Sequence, residues 1–292
     1  MPEERDIIRT GAALVRCGTD RWLTPRDLTA PLIICVHGFT SHGQYMVNLA
    51  QYIEAYGFIA ALFNYDSYLG IDQASDDLLD RLRPLISNLT DHSFVLVGHS
   101  MGGLVARAFA RDVQPPLREA LKGIALIGTP NRGTLDKKLV SYMLDWADWL
   151  TGPNPYARSS IRSKSSKQLT LGDSEKIIEW LNRADQETPL EMPVLSISGG
   201  MAFLESGKYS DSSYSGALRN VLLQRLIGEK PNDGLVAESS SDITRIIGKS
   251  DGAIKHNNQY LDYPRTNHTY LVRNQSVANV IVGWLQEMIP PA

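Results

Sequence analysis

The sequence predicts an α/β protein with a mostly parallel central sheet, helices on both faces and an inserted lid or cap, organised as a single domain over 1–292. Three observations predict it. Short β-branched or aliphatic runs recur along the chain, and apolar residues at helical spacing separate them. The run Gly98-His99-Ser100-Met101-Gly102-Gly103 joins one of those apolar runs directly to a helix-like segment. With 292 residues, 43% of them hydrophobic, the chain has ample apolar material for one large core.

In chain order, Leu32 to Val36, Phe58 to Phe63, Phe94 to Val97, Gly123 to Gly128 and Val194 to Ser198 read as strands buried on both faces. Met46, Leu49, Ala50 and Ile53 mark a first helix, and Ile71, Leu78, Leu82 and Leu85 a second that Pro84 kinks or ends. Leu104 to Ala110 reads as a third helix, and about Asn274 to Met288 as the last. Two intervals break the alternation, at about 131–190 and about 201–232. In the first, Leu139, Met143, Trp146 and Leu150 follow an amphipathic helical spacing, with Tyr142 and Trp149 beside them. Its apolar face covers either the core or an apolar cleft, and the second alternative makes Trp146 and Trp149 candidate substrate contacts. The following stretch, Tyr156 to Gln168, holds Arg158, Arg162, Lys164 and Lys167 among small polar residues and reads as a mobile, solvated loop; a transient lipid-surface contact is the alternative.

The balance of 29 basic and 32 acidic residues, a net charge of -3, excludes binding to nucleic acid or an anionic membrane by bulk charge. The start, Met1-Pro2-Glu3-Glu4-Arg5-Asp6, lacks the apolar stretch of a secretory signal, and no apolar run approaches the roughly 18 residues that span a bilayer. A cytoplasmic protein is the expectation. Cys35 lies within an apolar run, so it reads as a small buried hydrophobe, and a disulfide with Cys17 is not expected.

Ser100 is the candidate nucleophile. In a G-x-S-x-G turn between a strand and a helix, the glycines give room for a strained backbone that leaves the serine hydroxyl exposed. A hydroxyl attacks only when a neutral imidazole takes its proton and a carboxylate orients that imidazole. For a nucleophile on such an elbow the partners follow in the order serine, acid, histidine, which sets aside His37, His42, His92 and His99. His256 and His268 remain; His256 lies in Ile254 to Tyr260, which reads as either a strand or a polar loop, and His268 is preferred because it lies in a loop just before the last helix. For the acid, the turn chemistry of Pro231-Asn232-Asp233-Gly234 places Asp233 at a loop crest; Asp211, Asp242 and Asp262 are the alternatives. Oxyanion donors are expected from the backbone N–H of Met101, next to the nucleophile, and of Phe39, in the His-Gly turn after the first apolar run. The His37 and Phe39 side chains brace that loop or line an acyl pocket, and Thr40 and Ser41 cap the next helix.

The chain resembles lipases and esterases of the α/β-hydrolase superfamily. The matching segments are Val36-His37-Gly38-Phe39, Gly98 to Gly103, Gly128-Thr129-Pro130-Asn131-Arg132-Gly133-Thr134, Asn232-Asp233-Gly234-Leu235-Val236 and Asn267-His268, in the family's order. The resemblance implies an α/β-hydrolase fold. It also implies Ser100, Asp233 and His268 in the catalytic places, Phe39 and Met101 in the oxyanion places, and the insertion after Asn131 as the lid. It implies cleavage of a small-molecule ester or lipid through an acyl-enzyme with no cofactor, and no nucleic acid as partner. An acyltransferase or thioesterase would use the same residues, and a binding protein that keeps the fold without the chemistry is a third reading. The closest look is to bacterial triacylglycerol lipases, some of which hold calcium with an acid two residues beyond the histidine. Here that position is Tyr270, so no metal site is expected.

Overall fold

Apolar runs that must bury both faces lie in the middle of a sheet, and the structure places them there. The computed structural model describes residues 12–19, 21–85, 93–133, 163–170, 176–200, 231–251, 255–261 and 266–289. Among these, eight strands form one sheet: β1 Ala13–Arg16, β2 Leu32–Val36, β3 Ile59–Asn64, β4 Phe94–His99, β5 Leu121–Ile127, β6 Val194–Gly199, β7 Ser250–Asp251 and β8 Lys255–Leu261. Their order is β1-β3-β2-β4-β5-β6-β8-β7. The six inner strands run parallel, and β1 and β7 pair antiparallel at the two edges.

Parallel strands need a crossover between them, and the helices supply it. Helix α1 (Val47–Glu54) packs on one face together with the C-terminal helix Gln275–Met288. Helices α2 (Ile71–Leu82) and α3 (Met101–Asp112) pack on the other. The five predicted strands and four predicted helices are all present, with no end moved by more than three residues. Helix α2 stops at Leu82 and passes into a short 3-10 turn, Arg83–Leu85, because Pro84 has no N–H to continue the ladder.

Two short edge strands, β1 and β7, were not expected from the sequence. The polar run Lys255–Leu261 is a strand because Asn258 Oδ1 accepts from Ser196 Oγ at 2.8 Å and Ser198 Oγ at 3.2 Å, so hydrogen bonds replace apolar packing there. The described end of the predicted solvated loop is also ordered. Helix α4 (Lys164–Leu169) is capped by Ser163, whose Oγ accepts from Ser166 N–H at 3.1 Å, and it buries Ser165, Ser166, Gln168 and Leu169. Its polar residues complete the start of α2: Gly70 N–H donates to Ser165 Oγ (2.9 Å) and Ile71 N–H to Gln168 Oε1 (2.7 Å). The small polar residues here satisfy the free N–H groups of a helix start, and Lys164 pairs with Asp72. Trp146 and Trp149, with the rest of 134–162, lie outside the described residues, as does 201–230.

Helix α5 (Ile177–Glu187) is tied to α3 by charge. Arg107 on α3 is fully buried; its Nε and Nη2 donate to Asp185 Oδ2 at 3.0 and 2.6 Å, and its Nη1 donates to Asn131 Oδ1 at 3.2 Å. Arg111 Nε donates to the second oxygen of Asp185 at 2.6 Å. Removing the carboxylate leaves a buried guanidinium without its counter-charge. The expected result for Asp185→Leu is a loss of about 3–5 kcal/mol in urea unfolding, with much of it recovered when Arg107→Met is added; unchanged stability in the single variant would contradict the account.

Candidate functional site

At the end of β4 the chain turns at once into α3, and Ser100 occupies the turn with φ 54° and ψ -125°. L-residues avoid that region, so the neighbours must hold it. Ser100 N–H donates to Ile127 O on β5 at 2.8 Å, and Gly103 N–H donates to Ser100 O at 3.0 Å. The end of β2 presses against the turn: a Cβ on Gly102 would lie 2.2 Å from Val36 O, and one on Gly38 would lie 2.9 Å from Ser100 Cβ. The residue after Gly38 is Phe39, so its backbone stands beside the serine. Met101 is the first residue of α3, and its N–H therefore has no acceptor within the helix.

The ends of β5 and β6 complete the same corner. Asp233 crowns a tight turn, where its Oδ1 accepts from Leu235 N–H (3.0 Å) and Val236 N–H (2.7 Å). Its Oδ2 lies 2.9 Å from His268 Nδ1, and His268 N–H donates to Asp233 O at 2.9 Å. A carboxylate only accepts, so His268 Nδ1 is the donor of this bond. Gly128, just beyond β5, fits against this pair: a Cβ there would lie 3.1 Å from Asp233 Oδ2 and 3.2 Å from His268 Nδ1. The His268 ring lies 4.8 Å from that of His99, the residue before Ser100. The structure thus gathers Ser100, Asp233 and His268 at the carboxyl ends of the parallel strands, with all three side chains buried.

The competing residues lie elsewhere. His256 is near the start of β8, level with Val194 at the start of β6, and its Nε2 is bonded to Leu190 O at 3.2 Å. Asp242 Oδ1 accepts from Thr244 N–H and Oγ1 and caps a local turn. Asp211 and Asp262 lie outside the described residues. The His37 ring stacks on Tyr65 at 4.2 Å and donates from Nδ1 to Gly38 O at 2.9 Å, while the Phe39 ring meets Tyr68 edge-on. Thr40 and Ser41 do not cap the next helical turn, Gly43–Met46. Its N-cap is His42, and Thr40 itself takes φ 57° and donates its N–H to Ser67 Oγ. Thr40 bends the chain two residues before that N-cap, too early for capping.

Residues 33–275 match the pattern of the Alpha/beta hydrolase family. The chain belongs to that family. No curated protein matches it. Among solved structures, this hydrolase is similar to a Bacillus licheniformis lipase in mature form, with a TM-score of 0.61 and 14% identity over 93% of this chain and 97% of that one. It is also similar to Aspergillus fumigatus lipase B, with a TM-score of 0.58 and 14% identity over 90% of this chain and 54% of that one. A carboxylesterase structure from the thaumarchaeon Nitrososphaera gargenis gives a TM-score of 0.54 and 12% identity over 95% of this chain and 94% of that one. These likenesses show the fold. Among the described residues, no group of three or more His, Cys, Asp or Glu could hold a metal ion, and no helix is long and apolar enough to cross a membrane. Cys17 and Cys35 are buried and free.

Sequence reasoning passed over His99 and Tyr45 of the hydrolase, which both donate to the loop of His268. Their only sequence signal is position, His99 beside the serine and Tyr45 in the turn after β2. Burial lowers His37 to about 4, and burial together with the neighbouring His268 lowers His99 to about 3, so both rings are neutral in the folded chain. The unfolded chain takes up these two protons near pH 6.5, whereas the folded chain does not. Stability present at pH 7 is therefore lost as pH falls from about 6.5 toward 4, by about 1.4 kcal/mol per pH unit for each ring. Urea unfolding at stepped pH should show this loss, and an unfolding free energy that stays level from pH 6.5 to 4.5 would contradict it.

Proposed function

We propose that the protein cleaves carboxylic esters through an acyl-enzyme formed on Ser100. The observation that carries this reading is the buried His268–Asp233 pair, Nδ1 2.9 Å from Oδ2, with the His268 ring 4.8 Å from that of His99, the residue before a serine held at φ 54°. On this reading His268 Nε2 takes the Ser100 proton as Oγ bonds to the acyl carbon. Asp233 holds the imidazole in that tautomer and stabilises its cationic form, and the N–H groups of Phe39 and Met101 bind the oxyanion. The imidazolium then gives its proton to the departing alcohol oxygen as the ester C–O bond breaks. Water enters by the same route in reverse and releases the acid, so the cycle needs no cofactor.

The acyl side of the substrate is apolar on this reading. The support is the predicted amphipathic helix with Trp146 and Trp149 in the first insertion, which would act as lid and as the part touching a lipid surface. Turnover of p-nitrophenyl esters of graded chain length tests both statements. Ser100→Ala is expected to lower kcat/KM by about 10⁴-fold or more and Asp233→Asn by about 10³-fold or more, in protein that unfolds at the wild-type urea concentration. Wild-type turnover by the Ser100→Ala protein would refute the assignment.

A further inference from the structure

The loop that carries His268 is held from outside by two side-chain donors on consecutive carbonyls. His99 Nε2 lies 2.9 Å from His268 O, and the Tyr45 hydroxyl donates to Thr269 O. The two come from separate places: His99 is the last residue of β4 and precedes Ser100, and Tyr45 lies in the turn Gly43–Met46 that follows β2. Both are protonated correctly for the task. Burial keeps the His99 ring neutral, a carbonyl can only accept, and so the one ring proton is on Nε2. His99 Nδ1 has no hydrogen-bond partner among the described residues, so the ring is held in place by this bond and by packing between Tyr45 and His268. The Tyr45 hydroxyl is pushed up to about 12 by burial, and Arg273 stacks its guanidinium 5.1 Å from the ring centre.

The remaining bonds of the loop do different work. His268 N–H to Asp233 O and Nδ1 to Oδ2 tie base to acid, and Asn267 accepts from Tyr270 N–H within the loop. The His99 bond instead ties the base's own backbone to the residue next to the nucleophile. We propose that His99 and Tyr45 are positioning residues that set the separation of His268 and Ser100. This rests on the reading above, in which His268 is the base for Ser100. Proton transfer requires heavy atoms about 3 Å apart, and a displacement of about 1 Å can cost on the order of 10²-fold in rate. Both side chains act through the backbone of the His268 loop, so the effect falls on the chemical step.

Amide isosteres separate donor placement from bulk, because a glutamine nitrogen can stand where Nε2 stands and an asparagine nitrogen reaches only as far as Nδ1. For p-nitrophenyl butyrate, His99→Asn and His99→Leu should lose about 10- to 100-fold in kcat with KM within about twofold of wild type, and His99→Gln should stay within about threefold. Urea unfolding of each variant gives the folded fraction used to normalise the rates. Wild-type kcat in His99→Leu, or His99→Gln no better than His99→Asn at equal folded fraction, overturns the proposal. Should the His99 variants not fold, Tyr45→Phe carries the test by removing one oxygen: a fall of about three- to tenfold in kcat supports the proposal, and an unchanged kcat overturns it. The parent reading is judged separately, by fluorophosphonate labelling of Ser100 in wild-type protein and its loss in His268→Ala. Absence of labelling in the wild type would remove that reading whatever the His99 variants do.

Discussion

Val36 ends β2 so close to α3 that the 2.2 Å between its carbonyl oxygen and the position of a Cβ on Gly102 leaves room for hydrogen alone. That contact lets the helix begin directly at the strand end, and the price of beginning there is the backbone of Ser100 at φ 54°. The rest of the corner follows. Ser100 stands at the N-terminal end of a twelve-residue helix, whose first N–H groups have no acceptor within it. The turn after β2 passes the serine along Gly38, where a Cβ would lie 2.9 Å from Ser100 Cβ. A strained residue persists only where its surroundings over-determine it, and β4 supplies that by pairing on both sides, with β2 and with β5.

The neighbouring strands extend the arrangement to Asp233 and His268. Gly128 follows β5 and fits beneath the Asp233–His268 pair, and Gly199 ends β6, where a Cβ would sit 3.1 Å from Asp233 Cβ. Beyond the Asp233 turn lies the short helix Glu238–Ser241, which is fastened to the loop after β5: Asn131 N–H donates to Ser240 O at 3.0 Å and its Nδ2 to Ser241 O at 2.8 Å. Arg107 then holds Asn131 from within the helix that Ser100 begins. The network that stabilises the fold is in this way continuous with the segment that follows the Asp233 turn. Burial of Arg107 is unfavourable by itself, and its fixed fork of donors meets Asp185, Asn182 and Asn131 at once.

Much of this could be read from the sequence, for physical reasons that differ by element. Strands such as Ile59–Asn64 and Phe94–His99 are buried on both faces, which writes them as unbroken apolar runs. The elbow was readable because so few residue types tolerate its crowding, and the pairing of Asp233 with His268 because turn chemistry and chain order narrow the choice. β8 was left open between a strand and a polar loop, because its stabilisation comes from Ser196 and Ser198 on another strand. The polar stretch before Thr170 was read as solvent-facing, since nothing in its own residues reports that Ser165 and Gln168 answer the free N–H groups at the start of α2. His99 and Tyr45 were passed over for a similar reason: their roles depend on where a loop some 170 and 220 residues away comes to rest, at sequence separations of 169 and 224.

The central claim is that a covalent bond forms between Ser100 Oγ and an acyl carbon. Acid quench within the first turnover of a p-nitrophenyl ester, followed by proteolysis and peptide mass analysis, reads that bond directly. The account predicts about one p-nitrophenolate released per chain in the initial burst and the acyl mass on the peptide that contains Ser100. A burst with the acyl group on any other residue, or steady turnover with no acylated peptide when deacylation is slowed by a bulky acyl group, would contradict it.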